Sequence, residues 1–193
     1  MLKRIFDIVV SSFLLMAGAP LFTVIAAGIF LSSPGPVLFR QERAGKEGRT
    51  FTLYKFRTMH PGPEEASETF LGDPRVFPFG RLLREYHFDE LPQLWNILNG
   101  DMSLVGPRPG LPAQVERYSE RERGRLRVRP GLTGLAQVSG NNKLEWNDRI
   151  EVDLQYADNA SLWLDLHILY RTVGTVLRKQ GVYGPDGWVR DKR

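Results

Sequence analysis

Asp89 and Glu90 are adjacent carboxylates at the head of the stretch Phe88–Pro109, FDELPQLWNILNGDMSLVGPRP, which returns through Gly106-Pro107-Arg108-Pro109, a rigid turn presenting a guanidinium. A carboxylate can serve as a nucleophile or a metal ligand, and a fixed cation stabilises charge on transferring phosphoryl oxygens. Acid, turn and cation in that order point to phosphoryl chemistry. Asp89 is also of the right type to cap a helix Glu90–Leu98, with Glu90 beside the positive end of the helix dipole and Pro92 allowed in the first turn. The two roles are compatible, because a carboxylate at a helix start is held stiffly and kept ionised.

Other cations need elements to place them. Val37–Gln41 and Thr50–Phe56 are strand-like and joined by a turn region at Gly45 to Gly48, which predicts a β-hairpin. In its second arm Lys55 and Arg57 are two apart and share one face, either as the wet side of an ordinary strand or as a pair of cations aimed at phosphate. His60 to Pro78 is rich in Pro, Gly and acid and reads as a loop, ordered and functional or a mobile lid. Phe79 to Tyr86 is predicted helical, with Arg81 and Arg84 on one side.

Beyond the central stretch, Pro112 to Gly124 is predicted as a helix and Arg125-Leu126-Arg127-Val128-Arg129 alternates as a strand would, its charges solvated or resting on anionic head groups. The glycines of Pro130–Gly134 imply either close backbone approach to a ligand or tight turns. Glu145–Asn159 is helical by pattern. Ser161 then caps a helix whose Leu162, Leu166, Leu169, Val173 and Val176 form a stripe, facing a core or lying on a bilayer. The basic, Gly-rich tail after Gly181 is left unassigned.

Ile8 to Leu31 carries no charged side chain. As one helix it would reach roughly 36 Å, enough for a hydrocarbon layer of roughly 30 Å. Pro20 divides it into halves too short to cross, since proline cannot give an amide hydrogen to the helix ladder. Lys3 and Arg4 precede the segment, and Arg40, Arg43, Lys46 and Arg49 follow it, so both flanks favour the cytoplasmic face. A helix-break-helix entering and leaving by one leaflet satisfies both flanks; a kinked span satisfies one. A cleaved signal peptide is opposed by Asp7, by Pro20 just after Ala17-Gly18-Ala19, and by the apolar run beyond it.

The 193 residues suffice for one domain or slightly more, without fixed-period repeats. Cysteine is absent, which excludes disulfides and thiolate sites. The net charge of +4 favours anionic partners, but no nucleic-acid recognition motif is visible.

The motifs KRIFD at Lys3–Asp7, SPGPVLFRQERAG at Ser33–Gly45, YKFRTM at Tyr54–Met59, DELPQLWNILNGDMSLVGPRP at Asp89–Pro109, RPGLTGLAQVSG at Arg129–Gly140 and WLDLHIL at Trp163–Leu169 together resemble the bacterial sugar transferase family. These are small monotopic phosphoglycosyl transferases, and the resemblance covers nearly the whole chain. It implies transfer of a sugar 1-phosphate from a UDP-sugar to polyprenol (undecaprenyl) phosphate, releasing UMP at the cytoplasmic face of the bacterial inner membrane. Such a product opens glycoconjugate biosynthesis and passes to downstream glycosyltransferases. By the same resemblance Asp89 is the catalytic nucleophile and magnesium ligand, Glu90 is its catalytic neighbour, and Lys55, Arg84, Arg108 and Asp165 bind substrate. The family's usual Ser-Pro helix break is here Ala19-Pro20, so the break rests on Pro20 alone or on the hydroxyls of Ser11 and Ser12.

The expected architecture is α+β and mainly helical. Residues 1–36 form a re-entrant membrane anchor, and residues 37–193 a cytoplasm-facing catalytic domain with a small β-hairpin and amphipathic interfacial helices. The alternative function is a catalytically inactive membrane scaffold that recruits glycan-assembly enzymes.

Overall fold

The computed structural model describes residues 1–61 and 69–179, so part of the expected loop over His60–Pro78 and the tail after Gly181 lie outside the described residues. Helices dominate. The apolar run becomes one helix, α1 (Leu2–Ser32), with Pro20 inside it. The interruption expected at Pro20 is not present as a loss of helical structure. Proline removes a single ladder bond, while Leu15 and Phe22 on either side of it pack against the interior and hold both halves in place. Thr23 also donates its hydroxyl to the Ala19 carbonyl (3.0 Å), whereas the Ser11 hydroxyl is buried without a partner among the described residues.

The hairpin forms as predicted. Strands β1 (Leu38–Ala44) and β2 (Thr50–Phe56) pair antiparallel, from Leu38 opposite Phe56 to Ala44 opposite Thr50. Helix α2 (Pro78–Glu85) follows, starting with proline at its first turn as the missing amide hydrogen permits. Then come α3 (Gln93–Asn99), closed by Gly100 in the left-handed region at φ 94, and the short strand β3 (Ser103–Val105).

The segment 112–129 departs from expectation. It holds two short helices, α4 (Pro112–Glu116) and α5 (Glu120–Arg123), the second started by a capping box between Ser119 and Glu122. A 3-10 turn, Gly124–Arg127, replaces the strand anticipated for the alternating arginines. Those arginines engage the protein: Arg125 is buried, Arg127 pairs with Asp158, and Arg129 Nε donates to the Gly100 carbonyl.

The strand lies further on. Strand β4 (Gly131–Thr133) pairs parallel with β3. A Cβ on Gly106 would stand 2.3 Å from the Arg129 carbonyl, and one on Gly134 would stand 2.2 Å from the Gly106 carbonyl. The glycines therefore serve close backbone-to-backbone approach. Helices α6 (Leu135–Ser139), α7 (Trp146–Asn159) and α8 (Leu162–Leu177) complete the described chain, and the Ser161 side chain caps α8 as expected. The buried stripe of α8 is Asp165 and Ile168; Leu166 and Val173 of the predicted stripe are exposed.

One core collects Leu53, Leu94, Ile97, Met102, Leu104, Tyr156 and Ile168, with Phe6, Val10 and Leu15 of α1 against it. A second joins Ile25 and Ile29 of α1 to Phe56, Phe77 and Leu83. Full burial of such a side chain contributes about 1.5–3 kcal/mol, so α1 is integral to the fold at both ends.

Candidate active site

Asp89 and Glu90 lie in a single 3-10 turn, Phe88–Glu90, entered through His87, whose backbone is left-handed at φ 56. Helix α3 begins only at Gln93, with Pro92 at the N-cap position and no side-chain cap bond. Asp89 therefore does not cap the helix as the sequence suggests, because the ladder starts behind the residue that cannot donate to it. The tight turn gives the neighbouring carboxylates different settings. Glu90 is buried at 8 % exposure and Asp89 is half-buried.

Two cations from distant elements meet on Glu90. Lys55 Nζ, from β2, donates to Oε1 at 2.8 Å, and Arg108 Nη1, just beyond β3, donates to the same oxygen at 3.0 Å. Asn96, fully buried on α3, brings β2 to this point. Its Oδ1 accepts from the Tyr54 amide at 3.1 Å and its Nδ2 donates to the Thr52 carbonyl at 2.7 Å, so a side chain completes backbone bonds along that strand. This docking sets Lys55 beside the 3-10 turn.

Arg84 approaches from α2 and donates Nε to the Thr58 hydroxyl at 2.8 Å. Gly80 makes that approach possible, since a Cβ there would stand 2.2 Å from the Thr58 carbonyl. Gln93 and Arg43 line a small cleft together with Lys55 and Arg108. Sequence reasoning passed over Asn96, Thr58, Gln93 and Arg43. The motifs of the family resemblance contain all four, the central one Gln93 and Asn96, YKFRTM Thr58 and SPGPVLFRQERAG Arg43, but nothing in them singles these side chains out, and Arg43 figures in the sequence only as a flanking charge.

Two expected members sit elsewhere. Arg57 does not join Lys55 at Glu90, although its amide continues the hairpin by donating to the Val37 carbonyl at 2.8 Å, one residue beyond the end of β2. Its guanidinium bonds the Ser33 and Pro36 carbonyls (both 2.6 Å) and so ties down the end of α1. Asp165 is 1 % exposed and accepts from Tyr156 OH at 2.7 Å and Lys3 Nζ at 2.5 Å. Those two donors also bond the Val105 carbonyl, so Asp165 sits at the base of the strand leading to Arg108 and not with Glu90.

The two carboxyls are driven apart electrostatically. Burial pushes Asp89 above the usual carboxylate value and the adjoining Glu90 charge adds to the rise, although Lys55 and Arg84 oppose it. Burial acts on Glu90 in the same direction, but Arg108 and Lys55 outweigh it and hold Glu90 well below the usual range. Asp89 makes no hydrogen bond or ion pair among the described residues, so its oxygens are available to a reacting phosphorus or a cation.

No cluster of three acidic or histidine side chains suitable for a metal exists among the described residues. A hard divalent ion that keeps its waters and binds phosphate needs only one or two carboxylates. Asp89 fits that requirement, whereas Glu90 Oε1 is occupied by two cations.

The sequence matches a family model described as bacterial sugar transferase over residues 1–179. Among curated proteins, it is 43% identical to an uncharacterized sugar transferase, EpsL, of Bacillus subtilis, over 94% of this chain and 90% of that protein. It is 46% identical to a UDP-glucose:undecaprenyl-phosphate glucose-1-phosphate transferase of Caulobacter vibrioides, over 94% of this chain and 72% of that protein. It is 39% identical to an undecaprenyl-phosphate galactose phosphotransferase of Salmonella typhimurium, over 94% of this chain and 42% of that longer protein.

Proposed function

The chain belongs to the bacterial sugar transferase family, and we propose that it moves a sugar 1-phosphate from a UDP-sugar to polyprenol phosphate through a covalent intermediate on Asp89. The carrying observation is the division of labour between the two carboxylates. Glu90 is neutralised by Lys55 and Arg108, while Asp89 beside it is unbonded among the described residues.

The chemistry follows from that division. An Asp89 oxygen attacks the phosphorus that carries the sugar, and the bond from that phosphorus to the oxygen shared with the nucleoside phosphate breaks. UMP leaves with the electron pair, and Asp89 becomes an acyl phosphate bearing the sugar. An oxygen of polyprenol phosphate then attacks the same phosphorus, the bond to Asp89 breaks, and the carboxylate is regenerated as polyprenyl-diphosphate-sugar forms. Glu90 holds the Lys55 and Arg108 charges beside the transferring oxygens, and Arg84 adds charge on the Asp89 side. Asp89 would hold magnesium together with the diphosphate, and the ion would supply Lewis-acid stabilisation of the developing charge.

The membrane is part of this reading. α1 is long and apolar enough to enter a bilayer. Both its ends pack on the same body, which supports re-entry into one leaflet at the cytoplasmic face of the inner membrane. Trp163, Leu166, Tyr170, Val173 and Leu177 form an exposed apolar stripe on α8, which supports an interfacial helix resting on lipid. A polyprenol phosphate keeps its head group at that level. The product would pass to downstream glycosyltransferases that extend the glycan. An inactive scaffold has no use for the ordered Lys55–Glu90–Arg108 cluster, so the transferase reading is preferred.

Intact-protein mass spectrometry of the nanodisc-held chain with magnesium and a panel of UDP-sugars, without polyprenol phosphate, tests the reading. The expected result is an adduct of one sugar phosphate, absent from Asp89→Asn, which keeps its fold but loses turnover. Substantial UMP release by Asp89→Asn upon addition of polyprenol phosphate would overturn the nucleophile assignment.

A further inference from the structure

The turn that carries Arg108 is held at four successive carbonyls, while Pro107 and Pro109 have no amide hydrogen to give. Four successive carbonyls each have a donor. Pro107 O accepts from the Gly131 amide at 2.9 Å, Arg108 O from Arg125 Nη2 at 3.0 Å, Pro109 O from Arg43 Nη1 at 3.0 Å, and Gly110 O from the Ala44 amide at 2.9 Å. The second of these bonds involves the very residue whose side chain grips Glu90. Its donor, Arg125, is buried at 4 % exposure.

Arg125 is itself fixed from several sides. Nη1 donates to Tyr118 OH at 3.0 Å, Nη2 lies 2.5 Å from Asp153 Oδ2, and the guanidinium rests over the rings of Tyr118 and Trp146 at 5.8 and 5.9 Å. Asp153, buried at 1 % on α7, supplies the countercharge that a buried guanidinium requires. A planar fork with donors in fixed directions can serve a hydroxyl and a carbonyl together while its charge lies against a carboxylate; an ammonium on a flexible stem cannot.

We infer that Arg125 is a positioning residue for the transfer reaction: its bond to the Arg108 carbonyl fixes the turn so that the Arg108 guanidinium is aimed at Glu90. Asp153, Tyr118 and Trp146 act through it by giving Arg125 one orientation. The inference rests on the transferase reading above. It adds a residue that touches neither Glu90 nor Asp89, because displacing a fixed cation by about 1 Å can cost roughly 10²-fold in rate.

The test is a double-substitution cycle on the full chain in nanodiscs, reading initial rates of UMP release against UDP-sugar concentration. The unsubstituted protein supplies the reference rate and so judges the transferase reading separately. Arg125→Lys in the otherwise unsubstituted chain is expected to lower kcat/KM by roughly ten- to a hundredfold. When Arg108 is already lysine, the same change should cost less than about twofold, because the guanidinium to be aimed is gone. Equal fold losses in the two backgrounds would indicate a merely structural role and overturn the inference, as would full activity of Arg125→Lys. Tyr118→Phe removes one hydroxyl from around Arg125 and runs the same cycle, so poor folding of Arg125→Lys does not decide the matter. It should show the same non-additivity at smaller size, and additivity in its cycle overturns the inference equally.

Discussion

Asp89 and Glu90 are consecutive in the chain, yet their surroundings separate them. A 3-10 turn points the two carboxyls into different company, two cations for Glu90 and none in direct contact for Asp89 among the described residues. Their pKa values move in opposite directions, which is how neighbouring groups acquire separate tasks. A pH dependence follows. A protonated Asp89 cannot attack phosphorus, so turnover rises with pH as this carboxyl ionises. Because its value is raised in the folded protein, the acid limb of kcat/KM should lie above the ordinary aspartate value of about 3.9. Rates of UMP release across pH at limiting magnesium, where the Asp89 carboxyl of the free enzyme holds no metal, would check this, and a limb at or below that value would show that burial does not govern Asp89. The sequence made the pair and both partner cations legible, because motif and charge are local properties. It did not reveal that Arg57 serves the end of α1 while Lys55 serves the site. Which of the two cations reaches the site is decided by the partners each meets across the fold, and two residues in isolation carry no trace of it.

At the scale of elements, the hairpin, α2, α7 and α8 were readable because each is set by turn residues, caps or periodicity within a few positions. The parallel β3–β4 pair and the 3-10 turn of Gly124–Arg127 were not. The first joins segments far apart in sequence, and the second hides its buried arginine in a pattern that also suits a strand. The docking of α3 on β2 belongs with these long-range features and depends on a single side chain. Asn96 takes the place of a neighbouring strand for the Tyr54 amide and the Thr52 carbonyl. Asn96→Ala leaves the half-buried Tyr54 amide without its partner, at a cost of about 1–3 kcal/mol, while the carbonyl of exposed Thr52 can turn to water. The expected outcome is a fall in Tm of roughly 2–12 °C, with each kcal/mol worth about 2–4 °C at this chain length. Turnover at a temperature where the variant remains folded should fall as well, because Lys55 reaches Glu90 only from a docked β2. A variant with normal turnover but lowered Tm would show that the hairpin holds Lys55 without this bond.

For the molecule as a whole, the decisive arrangement is the tie between α1 and the rest of the fold at both ends of that helix. Near its start, Arg4 bonds the Ile97 and Leu98 carbonyls that close α3, and Asp7 accepts from the Ser103 hydroxyl and the Leu104 amide of β3, both at 3.1 Å. Near its end, Ile25 and Ile29 are buried against Phe77 and Leu83, and Arg57 holds Ser33. A helix of 31 residues has a path of about 46 Å, so a perpendicular span would carry one of these ends across the hydrocarbon layer. The polar contacts at that end would then have to follow into lipid or be broken, and either outcome costs several kcal/mol for each exposed polar group. Keeping both ends on one side costs nothing of this kind and leaves Phe13, Leu14 and Met16, exposed at mid-helix, to meet the acyl chains. The absence of cysteine makes the test direct. Single cysteines at Leu2 and Leu31, both exposed, should resist a membrane-impermeant maleimide in intact spheroplasts and react in inverted vesicles, while one at Met16 should be protected in both. Labelling of either end from outside the cell would establish a span and refute re-entry. Where Leu2 is the end so labelled, the Asp7 contacts should be absent in the membrane and Asp7→Ala should leave turnover unchanged; re-entry instead expects Asp7→Ala, which removes the acceptor for Ser103 and Leu104, to loosen β3 and lower turnover through Arg108.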